Sequence, residues 1–119
     1  VLPVDENVRH WFASPRAAVG FLLHSANIDA SAIGSRRNLT MPGLSATVAE
    51  EIEALRRFGG EKAVKLIRHV PDENIQRIVA GWPSDFDTAR AVQLGFAADR
   101  DFDAIVRNYL EEEFPKAGS

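Results

Sequence analysis

The segment from Phe86 to Leu110 constrains the fold most. Asp87 precedes the short run Thr88-Ala89-Arg90-Ala91-Val92-Gln93, which Leu94-Gly95-Phe96 closes. Asp101 then opens a second run that carries Phe102, Ile105, Val106, Tyr109 and Leu110 at helical spacing. Aspartate ahead of a helix accepts from its unpaired amides, glycine behind one takes the backbone shape that ends it, and a 3.6-residue apolar stripe needs a core to face. The last third is therefore two capped helices, the second amphipathic.

The remainder reads as short strands between helices. Val8, His10 and Phe12 alternate with Arg9 and Trp11, so Asn7 to Ala13 is expected as a half-buried strand. Ser14 and Pro15 suit the N-cap and first turn of a helix whose Ala18, Val19, Leu22, Leu23 and Ala26 share one face, expected to be core. Arg36 to Met41 is a second candidate strand stopped by the Pro42-Gly43 turn, and Thr47 with Glu50 forms a capping box for a helix with Val48, Ile52 and Leu55 buried. Gly59-Gly60 ends that helix, Ala63 to Ile67 is a third candidate strand, and Pro71-Asp72 begins a short helix left at Gly81-Trp82-Pro83. The fold class is α/β, mostly helical with a few short strands, and α+β if the chain is taken alone.

At 119 residues, 45% hydrophobic and 26% charged, the chain suits one modest unit. A net charge of −3 with both signs interspersed gives no footprint for nucleic acid and no polybasic membrane patch. Without cysteine there is no disulfide or thiolate metal site, and no apolar run approaches the roughly 20 residues of a membrane span, so a cytoplasmic setting is expected. His10, His24 and His69 share no metal-ligand spacing, and Glu111-Glu112-Glu113 reads as a solvated charge run. No Gly-x-Ser-x-Gly elbow is present, which argues against an independent hydrolase.

Asp87, the short helix ended by Leu94-Gly95-Phe96 and the final helix together resemble the carboxyl-terminal signature of the extended short-chain dehydrogenase/reductases, the NAD-dependent epimerase/dehydratase family. The likeness extends upstream. Val8-Arg9-His10-Trp11-Phe12-Ala13-Ser14-Pro15-Arg16-Ala17-Ala18 resembles the Val-Arg segment that leads into a helix, with Ala13 where the family has histidine and Arg16 where it has aspartate. Those departures weaken a nucleotide-sugar epimerase assignment. Arg37 to Gly43 is similar to the family's late strand with its Asn and following glycine, and Thr47 to Gly60 to the helix after it. The combination of Trp11 to Arg16, Asn38 to Gly43 and Gly81-Trp82-Pro83 is most similar to the branch that oxidises four-carbon sugar acids such as D-erythronate.

The resemblance implies a missing amino-terminal Rossmann half that binds NAD. None of the eight glycines forms a dinucleotide fingerprint, and the single tyrosine, Tyr109, has Glu113 four residues on instead of the family's lysine. With Val1 opening the chain in a strand-like Val-Leu-Pro-Val, a truncated, catalytically inactive substrate-binding part spanning residues 1–119 is expected. By resemblance Arg9 is the grip on an anionic sugar or sugar-acid group, and Arg77 a second arginine at family spacing. A guanidinium offers a carboxylate a bidentate fork. Arg16, a cation at a helix start, calls for an anionic ligand or a salt bridge. Trp11 and Trp82 are candidate pocket walls and Ser14 a candidate contact beyond its cap; for each of the six the bland alternative is a solvated charge, a core aromatic or a cap. Without its other half the chain should also expose apolar faces at Ala18–Leu22 and Val48–Leu55, covered by another chain, a homo-oligomer included, or by swapped elements. The alternative to a dehydrogenase or epimerase part is a stand-alone binding or interaction module without catalysis.

Overall fold

The computed structural model describes residues 1–114. Its elements run β1 (Arg9–Phe12), α1 (Pro15–Asn27), α2 (Ala30–Ile33), β2 (Leu44–Thr47), α3 (Val48–Val64), α4 (Glu73–Ala80), α5 (Ala89–Gln93) and α6 (Phe102–Glu113). Helices dominate, and β1 pairs with β2 in a two-stranded sheet. The described residues group into two units, each made of two stretches of chain: Val1–Trp11 with Ser45–Asp85, and Phe12–Leu44 with the described residues from Phe86 onward.

In the first unit α3 starts as the sequence dictates. Thr47 Oγ1 accepts from the Glu50 amide at 3.2 Å, and Glu50 Oε2 accepts from the Thr47 amide at 3.3 Å, so two amides with no helical partner are satisfied reciprocally. Gly60, at φ 73° and ψ 178°, breaks the helix, which resumes for one turn to Val64. That turn corrects the third candidate strand. Lys65, Leu66 and Ile67 donate to Glu61, Ala63 and Val64, so the backbone of 63–67 is spent on local bonds. A different pairing forms instead: Leu2 lies parallel to His69, donating to Arg68 and accepting from Val70. Asp72 then caps α4 through the amides of Asn74 and Ile75. Val4, Ala46, Val48 and Ala54 are the buried apolar residues of this unit, with Ile52 and Leu55 half-buried. The face from Val48 to Leu55 is thus largely internal, which corrects the expectation that it is exposed.

In the second unit α1, α2, α5 and α6 carry the fold. Arg36 to Met41 belongs to no strand, and β2 forms only after Pro42-Gly43. The reason is Arg90, whose guanidinium donates to the carbonyls of Ile33, Arg36 (3.0 Å) and Asn38 (3.2 Å), leaving no ladder to build. Asp101 caps α6 through Ala104 N at 2.8 Å, while Asp87 reaches only the Ala89 amide and the cap position of α5 itself falls to Thr88. Buried here are Ser14, Pro42, Ala91 and Phe96.

The face of α1 expected in the core is outside. Val19, Leu22 and Leu23 are 54%, 74% and 62% exposed, and Ala18 and Ala26 are exposed with them. Ala17, Phe21, His24 and Ile28 are the half-covered side. The His24 and Phe21 rings meet Phe96 edge-on at 4.6 and 6.4 Å, and His24 Nε2 bonds the Leu94 carbonyl at 2.7 Å. Because α1 is apolar on two sides, periodicity alone names either one; these tertiary contacts decide.

Candidate functional site

Arg9 leaves β1 with its guanidinium over the start of α3. Nη1 donates to Ser45 O at 3.2 Å and Ser45 Oγ at 3.4 Å, and the Ser45 hydroxyl donates to Ser84 O at 2.7 Å. Nη2 stands 3.8 Å from Glu50 Oε1, whose other oxygen serves the α3 cap. The contact is a solvated ion pair beyond hydrogen-bond length and contributes little. In the same unit Trp82 is 59% exposed, with its ring centroid 6.2 Å from that of His10, whereas Trp11 is half-buried. Arg77 is exposed in the last turn of α4. Arg9, Trp11, Arg77 and Trp82 therefore belong to one unit.

Ser14 and Arg16 belong to the other, and both are engaged. Ser14 is 1% exposed; its hydroxyl donates to Asp99 Oδ1 at 2.6 Å and accepts from Ala17 N at 3.0 Å, while its amide donates to Asp99 Oδ2 at 2.7 Å. Arg16 donates to Glu112 at 2.8 Å, Asn108 at 2.8 Å and Glu111 at 3.2 Å, so the salt-bridge alternative holds in this structure. Its guanidinium is held above its ordinary pKa by the Glu112 bond first and the Glu111 bond second. Glu111, Glu112 and Glu113 are exposed, as a solvated run requires, and the first two also pair with Arg16.

Two clefts open in this second unit. One, of about 320 Å³, lies among Arg16, Phe21, His24, Phe96 and Asp99; the other, of about 470 Å³, among Arg36, Asn38, Thr40, Asp87 and Gln93 beside Arg90. Asp99 and Arg90 were not singled out as site residues from the sequence. Ser14 and Asp99 are 85 residues apart, and Arg90 looks like any cation on a short helix.

Tyr109 is exposed with its ring 5.6 Å from that of Phe114. His24 and His69 bond backbone carbonyls, and among the described residues no three His, Asp or Glu side chains gather to hold a metal ion. The turn from β1 to α1 does not suit the pyrophosphate of NAD. Pro15 supplies no N–H there, and the Asp99 carboxylate already accepts from the Ser14 amide and hydroxyl. No helix among the described residues is long and apolar enough to cross a membrane.

No family model matches the chain. It is 37% identical over 110 residues to the D-erythronate dehydrogenase of Cupriavidus necator and 33% identical over 111 residues to that of Haemophilus influenzae, matches that cover 92% and 93% of this chain. A solved nucleoside-diphosphate-sugar epimerase from Agrobacterium tumefaciens superposes on 94% of the chain with a TM-score of 0.91 and 57% identity. These likenesses to two dehydrogenases and a solved epimerase are consistent with the carboxyl-terminal portion of the extended short-chain dehydrogenase/reductase family. The chain spans about a third of the length of these relatives: 34% and 35% of the two dehydrogenases and 33% of the solved chain.

Proposed function

We propose that this chain is the substrate-binding part of an NAD-dependent sugar-acid dehydrogenase, with a four-carbon acid such as D-erythronate as substrate and the cytoplasm as its setting. The match to two D-erythronate dehydrogenases over more than nine-tenths of the chain carries this reading. NAD, when bound by the remainder of the enzyme, accepts the hydride. The turn from β1 into α1 does not suit its pyrophosphate, and the part assigned to this chain is to hold the acid. Arg9 is the grip: its hydrogen bonds within the chain use Nη1, which leaves Nε and Nη2 for a carboxylate, and the exposed face of Trp82 borders an open surface in the same unit. Arg77 is a second cation of this unit for the same anionic end. Ser14 and Arg16 act by fixing the start of α1.

The test is steady-state kinetics of the full-length enzyme. Arg9→Lys should raise KM for D-erythronate roughly tenfold or more, equivalent to about 1.4 kcal/mol, with little loss of stability, because an ammonium cannot reproduce the two-pronged contact. Unchanged kinetics would make Arg9 a surface cation, and failure to reduce NAD with any sugar acid would remove the dehydrogenase reading.

A further inference from the structure

We infer that the outer face of α1 is a permanent interface, covered in the whole enzyme by the part of the polypeptide that lies outside this chain. At about 100° per residue, Val19, Leu22, Leu23 and Ala26 centre roughly opposite Ala17, Phe21, His24 and Ile28. The second set faces Phe96 and its neighbours, while the first is exposed. A helix that is apolar on opposite sides is one made to be buried on both.

The chemistry of the helix says what kind of cover it takes. Residues 17–28 contain no Asp, Glu, Lys or Arg, so the exposed face has no charged rim of its own. Transient interfaces carry a polar, solvated rim, and permanent ones resemble a domain core cut in half. Arg16, the one charged residue at the head of α1, lies at the edge of this face and is held by Asn108, Glu111 and Glu112. The relatives supply a cover of the required permanence, because two thirds of each lies outside the region this chain matches. The inference rests on the proposed function only in taking the chain as part of a longer enzyme.

Cysteine accessibility tests it, since this chain contains none. Leu22→Cys and the milder Val19→Cys are introduced singly into the full-length enzyme, with Ser25→Cys, exposed on the same helix but off the face, as reference. Maleimide labelling is read by the mass of the modified peptide, at several protein concentrations and after denaturation. Both face variants should label at least about tenfold more slowly than the reference in the native monomer, because reaction waits on local opening. Labelling as fast as the reference would overturn the inference, and so would protection that disappears when an oligomer is diluted to monomers, which would assign the face to a second copy. D-erythronate oxidation by the same preparations separates the two ideas. Activity with unprotected cysteines defeats the interface alone, and protected cysteines without activity defeat the functional reading alone.

Discussion

Removing the Ser14 hydroxyl should cost far more than one exposed cap. Ser14 is buried, and its Oγ joins the first turn of α1 to Asp99 on the loop before α6. Ser14→Ala deletes the cap to Ala17 N, worth about 1 kcal/mol. It also removes a 2.6 Å bond to a carboxylate, a contact of a kind worth about 1.5–3 kcal/mol, while Asp99 Oδ2 keeps the Ser14 amide. The expected loss is about 2–4 kcal/mol, a large share of the 5–15 kcal/mol typical of a domain. Urea unfolding of the 119-residue chain, followed by far-ultraviolet circular dichroism, measures it. Asp99→Ala and the double variant complete a cycle in which the two losses should fall short of additivity by about 1 kcal/mol or more. In the full-length enzyme, well below its unfolding transition, Ser14→Ala should leave KM nearly unchanged, because the hydroxyl is spent inside the fold. A loss under about 0.5 kcal/mol, or an additive cycle, would refute the account of Ser14 as a tertiary anchor.

Arg90→Lys should speed amide exchange across residues 33–40 and cost about 1–2 kcal/mol, since one ammonium cannot serve three carbonyls; unchanged exchange would mean the segment holds itself. Gly95→Ala should destabilise by about 1–2 kcal/mol, because the backbone there has φ +92° and an added Cβ would stand 3.0 Å from His24 Nε2. His24→Ala in the same background should recover only the steric part of that loss. Burial pushes the Glu51 carboxyl above its ordinary pKa. The folded state therefore binds that proton more tightly than the unfolded one, so ionisation opposes folding above the raised pKa and the penalty fades as pH falls through it. Glu51→Gln should stabilise at pH 7 and lose that advantage in acid, as urea midpoints at the two pH values would record.

Local signals were legible and distant ones were not. Ser14, Thr47 with Glu50, Asp72 and Asp101 each cap a helix by reaching two or three residues ahead, a distance that sequence spacing encodes. The strands needed partners that spacing does not reveal. Arg36 to Met41 forms no strand and hands carbonyls to Arg90, and Ala63 to Ile67 is taken up by the turn after Gly60. The sidedness of α1 was misread because both its faces satisfy the same period. Of the candidate site, the family likeness singled out Arg9, but Asp99 behind Ser14, and Glu111 and Glu112 behind Arg16, lie 85 to 96 residues from their partners, beyond any local motif.

Calorimetric titration of the purified 119-residue chain with NAD, and separately with D-erythronate, tests most directly the claim that it supplies substrate contacts and not the cofactor site. The account expects no measurable heat from NAD, since the turn from β1 into α1 presents Pro15 and the Asp99 carboxylate and the amides where β2 enters α3 are already taken by Thr47, Glu50, Val8 and Glu6, and at most weak, millimolar-order binding of the sugar acid to one side of a pocket. Micromolar binding of either ligand would contradict it and make the chain a binding module in its own right.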